Sequence, residues 1–257
     1  MTEGPTEIDV ALVPAQAAAW PPTVCVVVDQ LRASSTLTTV LELGCSEVVV
    51  TASLREARRL ARERGSLLAG ERGGRTVPGF DVNNSPAELR AIGMQGRGVV
   101  LSTTNGTAVL SRLRTMPVVL VGCLMNASAC AEAAVAEAEA RNVGIGIVCA
   151  GRLGRFALDD AIAAGLIVSR VIDAASGRGR LCQMSDAARG AMIMRSAYAN
   201  DLAALRESSS GQLLISLGAE ADIELCGRTD SSSTVPVLRS GRPLTVERLL
   251  RASTATT

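Results

Sequence analysis

Residues 25–36 read CVVVDQLRASST. An apolar run ends on Asp29, an arginine follows at position 32, and small hydroxyl residues open the next apolar segment. A short apolar run bounded in this way predicts a strand buried on both faces, and the hydroxyl run predicts a helix start. The pattern recurs. Strands are predicted over 24–28, 47–50, 67–69, 98–102, 118–121 and 143–149. Helices are predicted between them over 34–43, 54–64, 106–113, 127–140 and 157–172. Ser85-Pro86-Ala87-Glu88 adds another helix start, with Ser as cap, Pro in the first turn and Glu closing the capping box. Apolar strands separated by helices predict a three-layer α/β/α fold around a mostly parallel or mixed sheet. After Asp173 the pattern weakens. Residues 174–180 read as a polar connection, 185–205 and 211–217 as helical, and 222–226 with 235–238 as a late, antiparallel-compatible strand pair. RESSSG at 206–211 and the Thr-rich end read as mobile. One domain over 1–257 is expected, with room for a C-terminal subdomain from about 181.

Composition removes several function classes. The chain has 257 residues, 47% of them apolar, but only two Phe, one Tyr and one Trp. The core must therefore be aliphatic, and stacking platforms for single-stranded nucleic acid are disfavoured. A net charge of +1 with no basic run argues against a nucleic-acid footprint. No apolar run approaches the roughly 20 residues that span a bilayer. The polar start MTEGPTEIDV is unlike a secretory signal, so a cytoplasmic location is expected. Seven dispersed cysteines without C-x-x-C spacing read as buried thiols. There is no histidine, and every basic side chain is arginine. Devices built on His or Lys are thus impossible, which leaves Asp, Glu, Cys, Tyr or metal-bound water for acid–base work.

In α/β sheets, ligands bind outside the carboxyl ends of the strands. The predicted strand ends deliver Asp29 and Arg32, then Glu71 and Arg72 in GERGG, then Asp81, Asn83 and Asn84 in GFDVNNSP. Further ends deliver STTNGT (102–107), Asn126, and Arg152, Arg155, Asp159 and Asp160 in CAGRLGRFALDD. Carboxylates suit a hard cation such as Mg²⁺, guanidinium suits phosphate, sulfonate or carboxylate, and a helix start such as Asn105-Gly106-Thr107 offers N–H groups to anions. Singly, Asp29 or Asn105 reads better as a helix cap and Asp159–Asp160 as first-turn acids. Several such ends on one sheet edge predict a pocket for a small anion with a metal, and hence metal-assisted phosphoryl chemistry.

Two motif matches carry less. A strand ending in Asp resembles the haloacid-dehalogenase-type phosphatase start, but the second aspartate of that motif is replaced by Leu31. Cys149 to Arg155 satisfies C-x₅-R, the loop of cysteine phosphatases, yet a small buried Cys at a strand end is the better reading.

DQLRASST, GERGG, GFDVNNSP, STTNGT and FALDDAIAAG stand in the order and spacing of the 2-phosphosulfolactate phosphatase family, and DIELCGRTDSSSTVPVL resembles its C-terminal segment. The resemblance covers about residues 7 to 238. It implies a three-layer α/β fold and Mg²⁺-dependent hydrolysis of 2-phospho-3-sulfolactate to sulfolactate and phosphate, a step of coenzyme M biosynthesis. Residue by residue, it points to Asp29, Arg32, Ser34, Glu71, Arg72, Asp81, Asn84, Ser85, Thr104, Asn105, Gly106, Thr107, Asp159, Asp160, Asp222 and Cys226. Asp159 stands where the family pattern expects Glu, and Ala157 where it expects Ser.

The combined expectation is a Mg²⁺-dependent phosphomonoesterase. Asp29, Glu71 and Asp81 are the expected metal ligands, and Asp29, Glu71 and Asp160 the expected catalytic residues. Attack would come from activated water or from Asp29 itself. Arg32, Ser34, Arg72, Asn84, Thr104, Asn105, Gly106 and Thr107 are expected to bind a small phosphorylated, sulfonated acid. Neither a nucleic acid nor a membrane is expected as partner. A homo-oligomer would be compatible with the aliphatic helices after residue 184, which could equally cover the sheet. The alternatives are a phosphatase of another small phosphorylated acid and a non-catalytic anion-binding protein, the latter motivated by the altered pair at Asp159–Asp160.

Overall fold

The computed structural model describes residues 5–250, so the Thr-rich end lies outside the described residues. The chain begins with β1 (Thr6–Ala11), β2 (Val24–Val28), the apolar run that ends at Asp29, and α1 (Ala33–Glu42). Next come β3 (Glu47–Val50), α2 (Leu54–Arg64), β4 (Leu67–Arg72), the short β5 (Arg75–Thr76) and α3 (Pro86–Ile92). β6 (Gly98–Ser102), α4 (Gly106–Leu113), β7 (Val118–Gly122), α5 (Ala127–Arg141), β8 (Ile145–Cys149) and α6 (Leu158–Ser176) continue the alternation. The last part holds β9 (Cys182–Met184), α7 (Asp186–Ser196), α8 (Asp201–Glu207), α9 (Ser209–Ser216), α10 (Glu220–Cys226), β10 (Pro236–Arg239) and β11 (Leu244–Arg248).

The strands form one sheet in the order β5-β4-β6-β3-β11-β10-β7-β2-β8-β1-β9. It is mostly parallel, as expected, with β2 flanked in parallel by β7 and β8, and β6 by β3 and β4. The hairpin β10–β11 joins the two parallel blocks through three antiparallel pairings, β7–β10, β10–β11 and β11–β3. Three reversals leave the β4-β6-β3 block running opposite to the β2 block. The carboxyl ends of β2 and β6 therefore do not share one edge of a flat sheet.

Packing brings them together. Val24, Val26 and Val28 of β2 face the aliphatic side of α5 and α6, while Cys25 and Val27 face α1 and α4. In the other block Val48, Val50, Val99 and Leu101 join that same α1–α4 cluster, while Val49 and Val100 pack on α2. Both blocks turn one face toward the same pair of helices. Ala33 to Leu41 of α1 are all buried. The hydroxyls in this helix turn back on the backbone, Ser34 Oγ donating to Val27 O, Ser35 Oγ to Gln30 O and Thr38 Oγ1 to Ser34 O.

Several expectations change. The predicted strand over 222–226 is the helix α10, whose alternating pattern buries Asp222 and Ile223 together and Leu225 with Cys226. The helical stretch at 185–205 is broken after Ser196, and Asn200 caps α8 by accepting the Ala203 N–H at 2.9 Å. RESSSG is ordered as the junction of α8 and α9, where buried Ser208 accepts the Gly211 N–H at 3.0 Å. β1, β5, β9 and β11 were not predicted. Among the described residues no helix is long and apolar enough to cross a membrane.

Helices α6 and α7 approach at Gly165, where an added Cβ would stand 2.4 Å from the Ala191 carbonyl oxygen. Backbone cannot yield as a side chain can. Gly165→Ala is expected to destabilise the protein by about 1–3 kcal/mol in chemical denaturation; a neutral effect would show that the two helices can separate freely.

Candidate active site

The turn after β2 builds the floor of a small polar cavity. Asp29 stands at the strand end and is 8% exposed. Its N–H donates to Ser34 Oγ at 2.8 Å, which uses Ser34 inside the turn. Its carboxylate accepts the Ala33 N–H at 3.1 Å and the Gly106 N–H at the start of α4. Only glycine permits this approach, because a Cβ at 106 would lie 2.7 Å from Asp29 Oδ2. Burial pushes the Asp29 carboxyl up to about 7, and the charges of Glu71 and Asp159 add to the rise.

Glu71, at the end of β4, accepts the Gly74 N–H at 2.9 Å and the Thr104 N–H at 2.7 Å. Thr107 N–H donates to Thr103 Oγ1 at 3.3 Å. Three of the four N–H groups at 104–107 are thus engaged within the protein, two of them by Asp29 and Glu71. The start of α4 holds the protein's own carboxylates.

Asp29, Arg32, Glu71, Asn84, Thr104 and Asn105 line one cavity of about 100 Å³. Arg152 and Leu153 of the loop after β8 complete it, together with Ser210, Leu213 and Leu214 of α9. Asn84 Oδ1 and Thr104 Oγ1 are buried there without a hydrogen-bond partner. The residues from α9 and Leu153 carry no polar strand-end signal, and sequence reasoning missed them; Gly74 of the GERGG stretch is also in the lining.

The other expected residues take different positions. Arg32 is 3% exposed and ion-paired with Asp222, which is 2% exposed. The second guanidinium nitrogen of Arg32 reaches Gly74 O at 3.3 Å and Asn83 Oδ1 at 3.2 Å. Asp222 also accepts from Ser85 Oγ at 2.8 Å and from the Ala87 N–H at 3.0 Å, tying α10 to the start of α3. Arg72 points away from the cavity and donates to Glu71 O, Ala52 O, Ser102 O and Ser102 Oγ. Asp81 is exposed, lies outside the cavity, and accepts the Leu68 N–H at 2.8 Å. The expected trio Asp29, Glu71 and Asp81 is therefore not assembled. Among the described residues no group of three or more acidic or thiol side chains is arranged to hold a metal.

Asp160 does not line the cavity either. Its two oxygens accept the Gln30 N–H at 2.8 Å and the Gly151 N–H at 2.7 Å, so it staples the turn after β2 to the turn after β8. Burial and the charges of Asp159 and Asp29 raise its pKa well above the usual carboxylate range. Asp159 is 2% exposed, and its Oδ1 has no hydrogen-bond partner. Burial pushes its carboxyl up to about 6, against the Ser210 hydroxyl, the Leu31 N–H and the Arg152 charge. Cys149 is fully buried and outside the cavity. Burial and the charges of Asp160 and Asp159 hold its thiol well above the ordinary range, so the cysteine-phosphatase reading fails.

The fold and the cavity define an α/β protein that gathers carboxylates and guanidinium from separate strand ends around a space for a small polar ligand. Residues 11–241 match the family model described as 2-phosphosulpholactate phosphatase. A Deinococcus radiodurans protein named probable 2-phosphosulfolactate phosphatase is 40% identical over 223 residues, covering 86% of this chain and 89% of its own. A Methanothermobacter thermautotrophicus protein named 2-phosphosulfolactate phosphatase is 37% identical over 227 residues, covering 88% and 92%. The chain belongs to the 2-phosphosulfolactate phosphatase family, a family of phosphoric monoester hydrolases.

Two outcomes follow from the buried charges. Asp222→Ala leaves Arg32 buried without its partner and is expected to cost about 3–5 kcal/mol in urea denaturation; a loss below about 1 kcal/mol would mean that the pair is solvated. The raised Asp29 pKa makes the folded state bind a proton that the unfolded chain releases near pH 4. Its contribution to stability therefore falls as pH rises from about 4 to about 7. In metal-free buffer Asp29→Asn is expected to be more stable than the parent at pH 8, with the gap closing toward pH 4. A gap equal at pH 5 and pH 8 would contradict this.

Proposed function

We propose that this protein hydrolyses 2-phospho-3-sulfolactate to 3-sulfolactate and phosphate with Mg²⁺, a reaction of the coenzyme M biosynthesis type. The observation that carries the reading is the pairing of Asp29 with Glu71 at one small cavity, in a chain whose relatives bear that activity in their names. Two neighbouring carboxylates, with the charge of Glu71 adding to the rise of the buried Asp29, make a poor receptor for an anion on their own. Their hard oxygen donors fit a divalent cation, and Asp29 and Glu71 are the residues that would hold it, whereas Asp81 does not fit. Such a cation supplies charge stabilisation on the phosphoryl oxygens when bound.

The protein's own groups set the rest. The N–H groups of Ala33, Gly106, Gly74 and Thr104 fix both carboxylates in place. Arg32, held by Asp222, keeps a positive charge at the cavity wall without a free swing of the side chain. Asn84 and Thr104 offer unengaged buried polar atoms for ligand oxygens or water. Asp160 acts as a positioning residue, because its carboxylate joins the two loops that border the cavity.

Phosphate release from 2-phosphosulfolactate is expected with Mg²⁺ and not after EDTA treatment. Asp29→Asn and Glu71→Gln should each lower kcat/KM by about a hundredfold or more. Full activity in EDTA would remove the metal from the reading, and turnover of other phosphate esters only would redirect the substrate.

A further inference from the structure

Four arginines stand near the cavity in sequence expectation or in space, Arg32, Arg72, Arg152 and Arg155; Arg155 is exposed and outside it, and of the two that line it only Arg152 has a guanidinium with no partner among the described residues. Arg32 has its guanidinium engaged by Asp222, Gly74 O and Asn83 Oδ1. Arg72 spends its guanidinium on carbonyl and hydroxyl oxygens outside the cavity. Arg152 lines the cavity, and its guanidinium makes no hydrogen bond or ion pair with the described residues. Asp159 lies near enough to feel its charge.

The backbone presents Arg152 on a rigid turn. Arg152 N–H donates to Arg155 O at 2.9 Å, and Arg155 N–H donates to Arg152 O at 3.0 Å. Between them Leu153 and Gly154 have φ of +53° and +75°, the two-residue turn of a tight hairpin. A leucine in the left-handed region is strained and persists only where its surroundings hold it. Here the Leu153 N–H donates to Asn105 Oδ1 at 3.1 Å, which pins the turn to the start of α4 beside Asp29. Asn105 thus bonds to the turn instead of capping its own helix.

We propose that Arg152 is a specificity-determining residue that receives the anionic group staying with the product, the sulfonate or the carboxylate, while the phosphoryl group lies against Asp29 and Glu71. This rests on the proposed reaction. A planar guanidinium with no internal partner matches either group in bidentate fashion. The pinned turn fixes the backbone that presents it, so only the side chain orders on binding.

The test compares the protein with Arg152→Gln and Arg152→Lys on 2-phosphosulfolactate, 2-phospholactate and phenyl phosphate. Losing a charge-assisted contact should lower the kcat/KM ratio of 2-phosphosulfolactate to phenyl phosphate by about ten- to a hundredfold in Arg152→Gln, with partial recovery in Arg152→Lys. A fall confined to 2-phosphosulfolactate assigns the sulfonate, and an equal fall for 2-phospholactate assigns the carboxylate; both support the proposal. An unchanged ratio, or an equal loss on all three substrates, overturns it. Should the parent release phosphate from none of them, the proposed reaction fails by itself, and calorimetric binding of 3-sulfolactate decides the role of Arg152. Weaker binding to Arg152→Gln then supports the anion contact, and equal binding overturns it.

Discussion

From Ala33 to Leu41, helix α1 is buried on every side, and much of the architecture answers that fact. A helix with no solvent face needs covering all round. Residues of both parallel blocks and of the antiparallel β10–β11 hairpin between them, Leu238 and Val246 included, pack into the apolar cluster around it. Its polar residues become tolerable because most hydroxyls bond to nearby carbonyls, although Thr36 Oγ1 and Thr39 Oγ1 have no partner. The beginning of this enclosed helix is also the beginning of the cavity, so Asp29 and Arg32 inherit its burial.

That burial explains the chemistry of the site. Carboxylates removed from water prefer the neutral form, as burial raises both Asp29 and Asp159, and the charges of Glu71 and Asp159 push Asp29 further toward it. The N–H groups of α1 and α4 offset part of the cost, which is why the α4 start serves the acids instead of an incoming anion. Elsewhere a buried acid is paired directly, as Asp222 is with Arg32, or bridges two backbone turns, as Asp160 does. Each arrangement costs stability at the sheet and returns it as fixed geometry around one small cavity.

Much of this was legible in the chain. Apolar runs of four or five residues predicted β2, β3, β6 and β7 within a residue or two, because a strand covered on both faces leaves a continuous apolar signal. Asp29, Arg32, Glu71, Asn84, Thr104 and Asn105 were readable as strand-end polar residues, and all six line the cavity. The signal failed where position along the chain does not encode direction in space. Arg72 and Asp81 follow the same rule as Glu71, yet alternation along the strand and the Leu68 N–H carry them away from the cavity. Asp222-Ile-Glu-Leu-Cys alternates like a strand, but its aspartate is required beside Arg32, and a helix puts it there.

By itself the sequence determined the alternation of strands and helices, the aliphatic core and the restriction of chemistry to acids, arginines and any bound cation. It did so because those properties follow from composition and from periods of a few residues. Only the tertiary structure decided that the two blocks run in opposite senses and still meet, that Arg32 is paired while Arg152 is not, and that α9 and the turn at Leu153 wall the cavity. Those outcomes depend on a late hairpin inserting between early strands and on a helix that must be covered from all sides, relations between segments more than a hundred residues apart.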